Sequence, residues 1–337
     1  MTKRTTIRSV AREAGVSVST VSNVLNGRHE EMAAATLQRV RSTMERLDYR
    51  PNRLARSLVT RRTATIGLVI SELTNSLYPP VILGAEAACR DAGHGLLLAN
   101  AHDLDAERRT VEVMRDKQVD GLVLFSVSFL DLASEHLERA QRAGTPVVVI
   151  NRHLPPASPL SLVRFDHRGG GLLATRHLLE LGHRRIAHLA GPSERFTGRE
   201  RREGYAAALI EAGLAPDERL IAEGDYSFES GRDLLRRVWR ERPTAVFVGG
   251  DAMALGALRA AAELGLRVPG DLSLVAFGNP DFVRYATPAP TTIDLPVVEA
   301  GRTAAELVLA RVANGGEREV RTLETTLLVR ETTAPPP

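Results

Sequence analysis

The chain has 337 residues, 43% of them hydrophobic and 25% charged, a globular composition with room for two or three domains. A single cysteine, Cys89, excludes an intrachain disulfide framework and a four-cysteine zinc site, and no apolar run reaches the ~18 residues that a membrane span needs. The formal charge of +3 is unevenly spread, with 13 Lys/Arg against 5 Asp/Glu in residues 1–62 and 31 against 36 in the rest. A basic end on a mildly acidic body is the balance expected of a polyanion-binding module joined to a second domain.

The first predicted element is a short helix from Ile7 to Ala14, with Ile7, Val10, Ala11 and Ala14 on one face and Thr5 or Thr6 as its N-cap. Gly15 can take the positive φ that ends a helix, Val16 turns inward, and Ser17 caps a second helix from Val18 to Leu25. Two short helices across a three-residue glycine turn form a helix-turn-helix. A third helix is expected from Ala33 to Leu47, with Val40, Met44 and Leu47 facing inward. In such a unit the second helix enters the major groove. Val21, Val24 and Leu25 are taken by the core, which leaves Val18, Ser19, Thr20, Ser22 and Asn23 facing outward. Asn can pair with adenine, Ser with bases or phosphates, and Val can touch a thymine methyl.

The run from Thr6 to Gly27, TIRSVAREAGVSVSTVSNVLNG, resembles the N-terminal signature of the lactose-repressor (LacI/GalR) family. The resemblance implies that Val18, Ser19 and Asn23 choose the operator while Thr20 helps to hold the backbone. Thr6, Ser17, Ser22, Asn26 and Asn52 complete the expected DNA face. Ser9 stands where the family often has Asp, and Ala33 where Ser often caps the third helix.

Tyr49 to Leu58, YRPNRLARSL, is a second family-like motif, a two-turn helix opened by Pro51. A helix this short is unstable alone in water, so it is expected to fold only on DNA. By resemblance, hinge helices from two subunits enter the minor groove. Leu58 is then the apolar wedge, Ala55 allows close backbone approach, and Arg53 or Arg56 meets phosphates.

From Thr65 short apolar runs alternate with amphipathic helices. Strands are expected at 65–70, 95–100, 121–125, 146–150, 162–165, 186–190, 245–249 and 272–277, and helices near 79–92, 105–117, 131–143, 168–182, 198–213, 228–240 and 251–264. This is the pattern of α/β folds with parallel sheets covered on both faces, here as two doubly wound subdomains. Ligands of such sheets sit at the carboxyl ends of the strands. Ser71, Asn75, Tyr78, Arg152, Asp166, Arg195, Thr197, Arg201, Tyr226, Asp251 and Asn279 fall there and are the candidate effector site. Asp166 and Asp251 have a second reading as helix caps, and Arg195 and Arg201 as surface residues.

The body resembles the periplasmic-binding-protein-like sensor of the same family, in stretches such as Leu181-Gly182-His183-Arg184-Arg185-Ile186 and Gly249 to Ala257. Gly278 stands where the family usually carries an effector-binding Asp, and Gly250 where many sugar-responsive members carry Asn. The expected division is a helix-turn-helix domain (1–48), a hinge helix and linker (49–62) and an effector-binding and dimerisation domain (63–337). Within that last domain, the N-subdomain is about 63–160 plus 293–322 and the C-subdomain about 161–292 plus 323–337.

Catalytic spacing is missing: there is no phosphate-binding G-x-x-x-x-G-K-[ST], no H-E-x-x-H, no G-x-S-x-G and no G-x-G-x-x-G. Gly169-Gly170-Gly171 reads as close packing, Cys89 as core, and His183 and His188 as surface or strand-end residues, not metal ligands. No enzyme activity, cofactor or metal is therefore expected. The expected protein is a transcription regulator, repressor or activator, that binds a palindromic double-stranded operator as a homodimer. Its expected control is a small polar effector (a sugar, a nucleoside or purine, or a related metabolite). Basic residues in Met1–Thr6 without an apolar run behind them give no secretory signal, so a cytoplasmic, nucleoid-associated protein without a membrane partner is expected. A solute-binding or sugar-handling protein on the same body fold is the alternative, and the basic N-terminal module argues against it.

Overall fold

Among the described residues of the N-terminal unit, apolar spacing produces three helices, α1 (Ile7–Ala14), α2 (Val18–Leu25) and α3 (Ala34–Arg46). The computed structural model describes residues 5–25, 28, 32–49, 62–73, 75–125 and 134–337. Its contacts divide the chain into two units, Met1–Thr63 and Ala64–Pro337. Asn26 and the hinge positions Asn52, Arg53, Ala55, Arg56 and Leu58 lie outside the described residues, as does the start of the helix expected at 131–143.

Thr6 caps α1. Its hydroxyl accepts from the Ser9 amide at 3.3 Å, and Ser9 Oγ accepts from the Thr6 amide at 2.9 Å, a reciprocal box. Gly15 ends the helix at φ 62°, ψ 38°, the left-handed region where a side chain is disfavoured. Val10, Val21 and Val40, one from each helix, are fully buried together, and Val16, Val24, Leu25, Met44 and Leu47 pack around them. The Ala33 side chain offers α3 no capping bond.

The second unit holds two six-stranded sheets. In the first, β1 (Thr65–Ile70), β2 (Gly95–Asn100), β3 (Gly121–Phe125), β4 (Val147–Ile150), β5 (Ser161–Phe165) and β11 (Val320–Leu323) lie in the order β11-β5-β4-β3-β1-β2, all parallel. In the second, β6 (Ile186–Ala190), β7 (Ile221–Glu223), β8 (Ala245–Val248), β9 (Ser273–Phe277), β10 (Thr291–Asp294) and β12 (Thr326–Leu328) run β12-β10-β9-β8-β6-β7, with β12 antiparallel. The chain crosses from one sheet to the other after β5, after β10 and after β11. Central strands such as β3, β4, β6, β8 and β9 are buried along their whole length, because helices cover both faces.

Three helix pairs approach through reciprocal glycines. A Cβ on Gly301, in the helix Val297–Asn314, would lie 2.0 Å from Val81 O, and one on Gly84 would lie 1.9 Å from Val298 O. Gly171 and Gly204, and Gly231 and Gly256, stand in the same relation across two further pairs. The run Gly169-Gly170-Gly171 thus serves close packing, and Cys89 is core, at 1% exposure. His183 and His188 are not surface residues: both are buried. His188 lies inside β6 between the rings of Tyr205 and Phe247, at centroid distances of 4.9 and 4.6 Å. Its aromatic neighbours are contributed by distant segments, which strand-end spacing could not reveal.

Candidate functional site

On α2 the first turn carries the outward polar set. Ser17 Oγ accepts from the Thr20 amide at 3.0 Å and lies 2.6 Å from Ser19 Oγ and 2.8 Å from Thr20 Oγ1, so three hydroxyls gather at the helix start. Val18 is 43% exposed beside them, with no apolar neighbour required of it by the core. Thr6, Ser17, Ser19 and Asn23 are exposed, while Thr20 and Ser22 are half-buried. An amide and hydroxyls beside an exposed methyl pair match the donors, acceptors and thymine methyls of a major groove.

In the second unit a cavity of about 850 Å³ opens at the carboxyl ends of strands from both sheets. Ser71, Asn75, Tyr78, Arg195, Thr197, Arg201, Tyr226 and Asp251 line it. The first three come from segments that follow β1, and the rest from the second sheet's side. Tyr78 is hydrogen-bonded to Ser71 and meets the edge of Phe125 at 4.9 Å; burial raises its pKa. Arg201 is only 9% exposed; its guanidinium donates to Gly249 O and lies 3.8 Å above the Phe277 ring and 5.6 Å from that of Tyr226. Burial weakens this cation, and Tyr226 and Asp251 offset that effect. Burial also pushes the Asp251 carboxyl up, against the pull of its amide bond to Ala252 and of Arg201.

Both departures at glycine have a local reason. The Tyr226 ring occupies the space beside Gly191 and Gly250, where added Cβ atoms would fall 2.1 Å from its Oη and 2.9 Å from its Cδ1. A side chain at 250 and the ring of Tyr226 therefore exclude one another. Gly278 has φ 104°, and a Cβ there would lie 3.3 Å from Asp251 Oδ2. The carboxylate of this wall is thus supplied by Asp251, from the start of the helix Asp251–Glu263.

Three expected cleft residues do not line the cavity. Arg152 is held in the first subdomain: it donates to both carboxylate oxygens of Glu107 at 2.9 and 3.0 Å and to Ser134 at 3.1 Å. That pair is almost fully buried, and His136 adds a 2.8 Å contact to Glu107. Asp166 caps the helix His167–Glu180, accepting from the Gly169 amide at 2.8 Å. Asn279 is spent on Asp294 at 3.0 Å and Arg330 at 2.6 Å. Asn100, Phe125, Asn151, Phe277 and His102 line the cavity without having been expected there. The first four are the last residue of a strand or the one just after it, so the strand-end rule applied one residue earlier reaches three of them. Among the described residues no group of three or more His, Cys, Asp or Glu is placed to hold a metal ion, and no helix is long and apolar enough to cross a membrane.

Two family models match the chain: bacterial regulatory proteins of the lacI family over residues 6–52, and the periplasmic binding protein-like domain over residues 175–333. The HTH-type transcriptional regulator CelR of Thermobifida fusca is 38% identical over 98% of this chain and 98% of its own length. The HTH-type transcriptional repressor PurR of Erwinia tasmaniensis is 37% identical over the same shares. Among solved structures, the complex of CelR with cellobiose is 34% identical, with a TM-score of 0.74 over 98% of this chain and 100% of that one. The Lac repressor dimer bound to operator and the anti-inducer ONPF is 29% identical, with a TM-score of 0.84 over the same shares. The chain belongs to the LacI family of bacterial DNA-binding transcriptional regulators.

Proposed function

We propose that two copies of the chain bind a palindromic operator and that a small polar effector in the cleft between the two sheets controls the affinity. The observation that carries this reading is the cavity itself, walled from both sheets, in a chain whose N-terminal unit presents an exposed helix-turn-helix face. The Tyr226 ring, a cation at Arg201, a carboxylate at Asp251 and the hydroxyls of Ser71 and Thr197 suit a ring that carries several hydroxyls. A saccharide is therefore the effector class we favour, and the cellobiose held by the related CelR supports it. In this reading Thr6, Ser17, Val18, Ser19, Thr20, Ser22, Asn23 and Asn26 face the major groove. Asn52, Arg53, Ala55, Arg56 and Leu58 belong to the hinge, with Leu58 wedged into a central base step. The protein acts in the cytoplasm, at the nucleoid.

Effector binding closes the cleft, moves the subdomain that begins at Thr65, and alters how readily the hinge folds on DNA. A thermal-shift screen of cellobiose, other saccharides, nucleosides and purines tests the ligand class. A ligand at 100 times its Kd raises stability by about 2.7 kcal/mol. A shift with purines and none with saccharides overturns the saccharide assignment. Leu58→Ala is expected to weaken operator binding at least tenfold in a gel-shift titration; an unchanged Kd removes Leu58 from the interface.

A further inference from the structure

The crossing from β5 to the second sheet carries a buried imidazole. β5 ends at Phe165 in the first sheet, and His167 opens the helix His167–Glu180 that covers the second. His167 is 1% exposed and surrounded by the rings of Phe165, Phe196 and Phe277, at centroid distances of 6.0, 5.9 and 5.7 Å. Both ring nitrogens have partners. Nδ1 lies 3.4 Å from Arg201 Nε and 3.3 Å from its Nη2. A guanidinium only donates, so Nδ1 accepts and carries no proton. The proton is then on Nε2, which donates to Asn151 Oδ1 at 2.8 Å. Burial and the charges of Arg201 and Arg164 hold the imidazole well below its usual pKa, which keeps it in this neutral form.

The two ends of this chain of bonds face the same cavity from opposite sides. Asn151 follows β4 of the first sheet, and Arg201 projects from the helix Phe196–Glu211 of the second subdomain; both line the cleft, and His167 lies behind them. Neither end is loose. The Asn151 backbone N–H donates to Val163 O of β5 at 2.7 Å, and Arg201 is pinned by Gly249 O and the Phe277 ring. A displacement of Arg201 therefore moves the donor that orients the ring at Nδ1, and with it the Nε2–H that holds Asn151 Oδ1.

We propose that His167 is a positioning residue that couples Arg201 to Asn151, so that ligand contact on one cleft wall is felt by the other. The inference rests on the reading of the cleft as a regulatory ligand site. It gives the first subdomain, which the chain enters at Thr65 directly after the hinge segment, a direct link to the ligand-facing guanidinium.

The test is a mutant cycle on the full chain that needs no ligand. Thermal midpoints are measured for Asn151→Ala, Arg201→Gln and the double variant, with His167 present and in a His167→Ala background. With His167 the double variant loses about 2 °C less than the sum of the singles, and without it the losses add. Equal non-additivity in both backgrounds overturns the coupling. Should His167→Ala not fold, ¹⁵N spectra of the wild type and Asn151→Ala decide. The expected result is the Nε2–H tautomer of His167 and a shifted Arg201 Nε–H signal in the variant. The Nδ1–H tautomer, or an unmoved Arg201 signal, contradicts it.

Cellobiose supplies the functional arm. If it stabilises the wild type, His167→Asn should still be stabilised by cellobiose, while its effect on operator Kd falls toward onefold. A full effect on Kd in that variant also overturns the coupling. If cellobiose leaves the wild type unmoved, it is the saccharide reading that loses its support, and the cycle alone decides the role of His167.

Discussion

His188 shows how a single buried side chain makes stability depend on pH. Burial between two rings lowers its pKa to about 4, against the opposing effect of its Nδ1–H bond to Phe247 O. In the unfolded chain the value is near ~6.5, so the folded state favours the neutral ring. The stability that follows is fully present above about pH 6.5 and is lost as pH falls through about 4, by on the order of 3 kcal/mol in the acid limit. His167, His177 and His183 are lowered in the same direction, each chiefly by burial, and steepen the same window. His188→Phe keeps the stack and removes the titration. Urea midpoints at pH 7, 5.5 and 4.5 should therefore show a shallower acid loss than in the wild type, and a parallel loss would contradict this origin.

At the same scale, Ser9 shows what one sequence can and cannot reveal. Its departure from the commoner Asp leaves a hydroxyl that still reaches back to the Thr6 amide at 2.9 Å, so the cap is complete. Arg152 is the opposite case. Its place two residues after β4 points to the cleft, yet Glu107, 45 positions earlier, lies ready to pair with it and buries it elsewhere. A long-range charge partner is invisible to spacing along the chain.

At the scale of elements, the central strands other than β10 were legible because they are continuous apolar runs, and their helices because apolar and polar faces alternate around them; β10 has four residues, of which only Ile293 is a large apolar one, and gives no such run. The edges were not. β7 and β12 have three residues each, and β11 is largely exposed, with Arg321 and Thr322 in it, so neither length nor hydrophobicity marks them. The helix Val297–Asn314 escapes sequence periodicity for another reason. Its buried face is largely small, with Ala300, Gly301, Ala304 and Ala305, because it lies against the helix Tyr78–Asp91 at backbone distance. Small residues give a weak periodic signal but a close contact. Gly301→Ala should therefore push the two helices apart. Overpacking of this kind costs about 1–3 kcal/mol, or a midpoint roughly 3–10 °C lower. Calorimetry of the variant checks this, and an unchanged midpoint would mean that the pair can separate freely.

For the whole molecule, the division into a basic reader and a mildly acidic sensor was visible in charge and pattern alone, and the α/β architecture followed from strand and helix alternation. Eight of the expected cleft residues meet at one cavity because strand ends of a parallel sheet converge on one edge, a property of topology. The three that stay out are held by caps or partners that only the folded chain brings together. The ligand's chemistry stays the least legible part, since Tyr226 and Asp251 act through space made by Gly191, Gly250 and Gly278.

The most direct test of a ligand-controlled operator binder is selection of duplexes from a random-sequence pool, followed by titration of the selected site. Two-fold symmetric half-sites are expected, with an affinity that falls steeply with salt and a Kd that changes at least fivefold when a cleft ligand is added. Binding that prefers no palindrome over random DNA, or a Kd that every stabilising ligand leaves unchanged, would contradict that reading.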